Sequence, residues 1–240
     1  MQFKYAISLS KLFGRMDDNL INKIKQDFDR IALLEQKLWD HNRHYHSFLL
    51  KQLPIKGNIA LDIGCGTGDF SRLLAQRFNK VIALDLSPTM IAIAKQRSQA
   101  YQNIEFLVGD ILKWHFPLEK FDAIASIATV HHLPLDQLLP SLKSALKCQG
   151  KLVILDLVRY EYPQDILREI NSLVLNPLLT ILINGKLKAS QEELEAWQKH
   201  ASTDTYLTLT QAKEIYSNFL EKAKIMQHLF WRYSVVWQKP

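Results

Sequence analysis

The chain has 240 residues and a mass of 27.8 kDa, with 48% hydrophobic and 22% charged residues, enough for one well-filled core and too few for two ordinary domains. Its two cysteines, Cys65 and Cys148, exclude a disulfide-stapled scaffold, and no C-x-x-C pair exists to hold zinc. The formal charge of +6 is mild and uneven: residues 1–56 carry ten Lys/Arg against six Asp/Glu, while 57–156 and 157–240 each carry ten against nine, so nucleic acid is not the expected partner.

In chain order, the first 56 residues predict a helical cap. Ile21, Ile24, Phe28, Ile31, Leu34 and Leu38 recur at spacings of three and four, which reads as amphipathic helix over 18–52. Acids and bases interleave in KIKQDFDR (23–30), the pattern of a solvated helix face. Pro54 and Gly57 punctuate, and an apolar run at 59–61 ends in a glycine cluster. Helical SRLLAQRF (71–78), strand-like VIALDL (81–86), a helix from Thr89 to about Ala100 and strand-like IEFLV (104–108) follow. FDAIASIA (121–128), a helix over 137–147 closed by Gly150, and KLVILDL (151–157) continue the rhythm. Such alternation predicts an α/β fold with a parallel sheet over 57–160. Residues 161–205 then read as a helical lid, with a long apolar helix over 165–183 interrupted by Pro177. A helix at 209–221 and two β-runs, 223–230 and 231–237, make 206–240 a closing helix and hairpin. No signal-peptide pattern is visible at the N-terminus and no run reaches about 18 apolar residues, so a cytoplasmic protein without a membrane span is expected, as monomer or homodimer.

The chemistry concentrates at strand ends. Leu61-Asp62-Ile63-Gly64-Cys65-Gly66-Thr67-Gly68 falls where the first strand turns into a helix, where glycines admit close backbone approach and free helical N–H groups face a ligand. Asp85 ends the second strand, placed to accept from both hydroxyls of a ribose, and Gly109-Asp110-Ile111 ends the third, placed to read an adenine edge. Three strand ends in order suit one adenosine. A dinucleotide fingerprint would need glycine three residues after Gly66, where Asp69 stands.

With G-x-G-x-G spacing and an acid two residues before the first glycine, the sequence resembles the class I S-adenosylmethionine-dependent methyltransferases, over about residues 55–157. The resemblance implies a doubly wound, Rossmann-like seven-stranded sheet, mostly parallel with the last strand antiparallel and helices on both faces. It implies S-adenosylmethionine as cofactor and S-adenosylhomocysteine as product. Gly64, Cys65 and Gly66 would line the cofactor, Asp62 would buttress the loop and Asp85 would bind the ribose. Leu86 and Met90 would pack on the adenine, Asp110 would accept from its amino group and Ile111 would cover the ring, with Ile127 at the end of the fourth strand alongside.

Beyond that strand, Thr129-Val130-His131-His132-Leu133 sits on the carboxyl edge where ligands of open α/β sheets bind. The small-molecule branch of the family resembles this arrangement, which makes His131 or His132 a candidate base; the alternative is that one orders the loop and the other is solvated. In the N-terminal helix, spacing puts His41 and Tyr45 on one face with His44 alongside, so Trp39, His41, His44 and Tyr45 are expected in the acceptor pocket while Asn42 and His46 project elsewhere. His41-x-x-His44-x-His46 has no accompanying carboxylate or cysteine cluster, so no metal is expected. The expected activity is methyl transfer by in-line displacement to a small, partly apolar metabolite. The rivals are an RNA or protein methyltransferase, and a catalytically silent module that only binds the cofactor.

Overall fold

A computed structural model describes residues 17–34, 39–185, 191–201 and 204–240. Seven strands form one sheet: β1 Gly57–Ile63, β2 Phe78–Asp85, β3 Ile104–Val108, β4 Phe121–Ile127, β5 Leu146–Leu157, β6 Lys224–Gln227 and β7 Arg232–Gln238. Their spatial order is β3-β2-β1-β4-β5-β7-β6. Neighbours are parallel from β3 to β5, whereas β7 runs antiparallel to both β5 and β6. The expected seven-stranded sheet with its reversed last strand is therefore present.

Central strands read as unbroken apolar runs because both faces are covered. Leu61, Ile63, Ile82, Leu84, Ile124, Leu152 and Ile154 pack toward helices α5 (Leu135–Ala145) and α8 (Leu209–Phe219), whose Leu138, Leu139, Leu142, Ile215 and Tyr216 are buried against them. Intervening positions, Ala60, Val81, Ala123, Ala125, Val153 and Leu155, face α2 (His46–Gln52) and α3 (Asp69–Ala75) through Leu49, Phe70 and Leu74. Helix α4 (Pro88–Arg97) covers β2 and β3 through Ile91 and Ala94. Each such leucine or isoleucine contributes about 1.5–3 kcal/mol by leaving water.

The single helix expected over 18–52 is interrupted. Helix α1 covers Asp18–Ala32, and the chain restarts helical winding only at a short turn, Arg43–Tyr45, leading into α2. Asp40 is the physical reason: its Oδ1 accepts from the backbone N–H of Asn42 (2.7 Å) and Arg43 (2.9 Å), satisfying donors at a new helix start. Leu38 lies outside the described residues. Likewise Gly150 does not close α5. That helix ends at Ala145, β5 begins at once, and the pairing with β4 jumps from Phe121–Leu146 to Ala123–Lys151, with Gly150 inside the irregularity.

Two lid helices follow, α6 (Ile166–Asn184) and α7 (Gln191–Ala201). The sequence expectation of no membrane-length apolar segment is corrected here. Helix α6 has 19 residues with mean hydropathy 1.5 and is, by length and composition alone, long and apolar enough to cross a membrane, because helical continuity joins the apolar stretch to Ile166-Leu167 across a few polar residues. Its polarity is inverted. Ser172, Asn176, Thr180 and Asn184, four residues apart, face the protein, while Leu173, Val174, Leu178, Ile181 and Leu182 are exposed.

Candidate active site

The strand order reverses between β1 and β4, and the crevice beyond their carboxyl ends opens into a cavity of about 1000 Å³. Every cofactor residue expected from the sequence lines it: Asp62, Gly64, Cys65, Gly66, Asp85, Leu86, Met90, Asp110, Ile111 and Ile127.

The glycine loop is held from three sides. Gly64 has φ +67°, and a Cβ there would collide with the Thr129 side chain, so the loop lies directly against the segment after β4. Asp85 Oδ2 accepts from the Gly66 N–H (2.8 Å) while Oδ1 accepts from the Ser87 N–H (2.9 Å), tying β2 to the loop and leaving each oxygen a further lone pair. Burial pushes the Asp85 pKa up to about 6, against the pull of those two backbone donors. Asp62 Oδ2 accepts from Ser71 Oγ of α3 at 2.5 Å, tying the end of β1 to the helix that follows the loop. Burial raises the Asp62 pKa to about 7, with the Asp85 and Asp69 charges adding to the rise.

A nucleoside-bearing donor fits these residues on two observations. A Cβ at Gly66 would meet nothing within 4 Å, so its backbone faces open cavity. Asp110 Oδ2 is buried without a hydrogen-bond partner, Lys113 Nζ being 3.8 Å away, and so offers an acceptor for an adenine amino group.

The cap forms the opposite wall, and here the sequence expectation is partly corrected. Trp39 and His41 line the cavity, His41 Nε2 lying 3.0 Å from Asn176 Oδ1 of α6. His44 and Tyr45 do not. The Tyr45 hydroxyl donates to the Leu229 carbonyl (3.0 Å), and His44 packs edge-on against Tyr45 and Phe230. Asn42, Arg43 and His46 reach the cavity instead, because the turn initiated by Asp40 breaks the continuous helical spacing on which the expectation rested. Arg43 Nη2 donates to Asp69 Oδ2 at 2.5 Å, joining cap to core at the start of α3.

After β4, His131 and His132 sit in a short helical turn, Val130–His132, lining the cavity. His131 Nδ1 lies 2.6 Å from Asp156 Oδ1 of β5, which fixes the ring. Its Nε2 faces Asp204 Oδ2 at 3.8 Å. His132 Nδ1 is 3.5 Å from Asp204 Oδ1, and its side chain is only 7% exposed, so burial, followed by the His131 and His200 charges, pushes its pKa well below the usual range. His200 of α7 joins them with Nε2 3.8 Å from Asp204 Oδ2, its own pKa lowered by burial. The Tyr206 hydroxyl donates to Asp204 Oδ2 (2.7 Å). Asp156, His200, Asp204 and Tyr206 carried no functional signal in the sequence, since they lie far from the two histidines along the chain and belong to no motif.

A switch-point cavity with a glycine loop after β1 and acids ending β2 and β3 defines a Rossmann-like enzyme that takes a nucleoside-bearing ligand. A family model described as a methyltransferase domain matches residues 60–150. The 2-phytyl-1,4-naphtoquinone methyltransferase of Thermosynechococcus vestitus is 35% identical over 60% of this chain and 67% of its own. The demethylmenaquinone methyltransferase of Tropheryma whipplei is 29% identical over 81% of this chain and 79% of its own. Among solved structures, the N-methyltransferase NodS from Bradyrhizobium japonicum, with a TM-score of 0.63 at 18% identity over 90% of this chain and 98% of that one, shares the fold. The chain belongs to the class I S-adenosylmethionine-dependent methyltransferases, with S-adenosylmethionine as its methyl donor.

Proposed function

We propose that the acceptor is a quinone-type aromatic metabolite, methylated in its reduced, hydroxyl-bearing form. The carrying observation is the cavity itself. At about 1000 Å³ it lies at the upper end of the roughly 300–1000 Å³ range of ligand pockets, and beyond the glycine loop it is lined by Phe28, Trp39, Tyr160, Trp197, Tyr206 and Trp231. Flat apolar rings with one polar edge suit such a wall. The two relatives named for naphthoquinone and menaquinone precursors support the same class.

When bound, S-adenosylmethionine supplies a methyl group on a cationic sulfur, ready for in-line displacement. The chain's own task is alignment and exclusion of water. Gly64, Gly66 and Asp85 hold the donor at one end. Helices α1, α6 and α7 close over the other, with Ile24, Phe28, Thr180 and Trp197 on the cavity wall. The buried cluster of His131, His132, His200 and Asp204 stands at the polar end of the acceptor space and activates the acceptor hydroxyl.

Incubation with methyl-labelled donor and a panel of reduced naphthoquinols, free phenols, bulk RNA and protein tests the reading. Labelled methylated naphthoquinol, with S-adenosylhomocysteine and a released proton, is the expected product. Label only in RNA or protein, or in none of them, overturns it.

A further inference from the structure

We infer that His131, His132, His200 and Asp204 form a binding site for one divalent cation of the zinc class. Their ligating atoms, one from each residue, all lie within 4.8 Å of one another. A tetrahedral zinc with bonds of about 2.0–2.1 Å needs ligand atoms about 3.3 Å apart, which small ring and carboxylate movements reach.

Protons are too few in this cluster for its lone pairs. His132 Nε2, Asp204 Oδ1 and Asp156 Oδ2 are all buried without a hydrogen-bond partner. The side chains of His131, His132, His200, Asp204 and Asp156 are each 7% exposed or less, so these groups face one another more than bulk solvent. Such a surplus of buried acceptors beside two carboxylates is satisfied by a cation.

The outer contacts are those of a metal centre. His131 presents one ring nitrogen to the cluster while Asp156 holds the other at 2.6 Å, the carboxylate–imidazole pairing that orients a ligating histidine. His200 Nδ1 lies 3.9 Å from Asp27 Oδ2, too far for a hydrogen bond but close enough for the carboxylate charge to act on the ring. Tyr206 steadies Asp204 through its 2.7 Å hydrogen bond, and Phe28 shields the far side, its ring 4.6 Å from that of His200. Three imidazoles with one carboxylate favour zinc or cobalt over magnesium or calcium, which prefer oxygen. Because the cluster lines the cavity, a fifth position would open toward the acceptor, where the cation would bind its hydroxyl oxygen and ease loss of that proton to water. Only this last use rests on the acceptor proposed above; the binding does not.

The test takes full-length protein stripped with a chelator and titrated with Co²⁺ alone. One Co²⁺ per chain is expected, with visible ligand-field absorption that added Zn²⁺ removes. His132→Ala and Asp204→Asn should each weaken binding about 100-fold or more, and His115→Ala, at an exposed histidine outside the cluster, should leave it unchanged. No ligand-field band, or a band indifferent to both cluster variants, overturns the inference. Asp204→Asn keeps the side-chain shape and decides the matter if the alanine variant does not fold. S-adenosylhomocysteine binding is measured on the same stripped protein. Donor binding without cobalt binding removes the cation site and leaves the methyltransferase, whereas cobalt binding without naphthoquinol methylation removes only the proposed acceptor.

Discussion

Single atoms decide the donor site. A methyl at Gly64 would collide with Thr129 and would also strain a backbone at φ +67°, so Gly64→Ala should weaken S-adenosylhomocysteine more than tenfold in calorimetry. Gly64→Ala with Thr129→Ala should recover only part of the loss, since the backbone strain remains. Asp85→Ala should cost about 1.5–3 kcal/mol of donor affinity, the range for hydrogen bonds to a charged group. Because Asp85 must be ionised to accept from both ribose hydroxyls and its pKa is pushed up to about 6, donor affinity should fall as pH drops below about 6, and Asp85→Asn should flatten that profile. Asp62 carries the opposite consequence for stability. With its folded pKa near 7 and its unfolded value near 3.8, the folded state favours the proton, so this group costs nothing below pH 3.8 and destabilises increasingly as pH rises toward 7. Asp62→Asn should therefore gain stability relative to the parent between pH 5 and 7.5 in urea unfolding of donor-free protein. The acids at strand ends were legible as residues; their pKa values were not, because burial and neighbouring donors set them.

At the scale of elements, α6 is fastened by its polar stripe. Asn184 accepts from the Trp39 N–H (2.8 Å) and donates to the Trp39 carbonyl (2.9 Å), while Ser172 accepts from the Phe230 N–H (2.9 Å) and Asn176 meets His41. Asn184→Ala removes both bonds to the cap and leaves the Trp39 backbone groups unpaired. It should cost about 1–3 kcal/mol locally and speed proteolysis within the cap and α6 with little change in global unfolding. Strand and helix order in the core was legible, because apolar runs alternating with amphipathic stretches have one economical packing. The break in the N-terminal helix was not. Apolar spacing continues through it, and only the Asp40 side chain, turned back on its own backbone, shows where winding restarts. The inversion of α6 was hidden for a related reason, since composition gives a helix its polarity and packing decides which side faces in.

For the whole molecule, one cavity is walled by both core and lid, so donor binding there should report on global stability. S-adenosylhomocysteine at 100 times its Kd should add about 2.7 kcal/mol, a rise in Tm of roughly 5–10 °C for a chain of this size in a thermal melt. No rise at such excess would contradict the assignment of the cavity to the donor.

The sequence by itself determined the α/β class, the succession of strands and helices through β5, the hairpin at the end and the glycine loop with Asp85 and Asp110 at strand ends, because these are local patterns read along consecutive residues. Only the tertiary structure decided which cap residues face the cavity, that α6 turns its polar stripe inward, and that His131 and His132 meet Asp156, His200 and Asp204. Those three partners lie 24 to 73 residues away along the chain, on β5, on α7 and in the segment before α8, and no spacing rule links them. Folding brings them together because the strand order places β5 beside β4 and the lid returns α7 over the same strand ends.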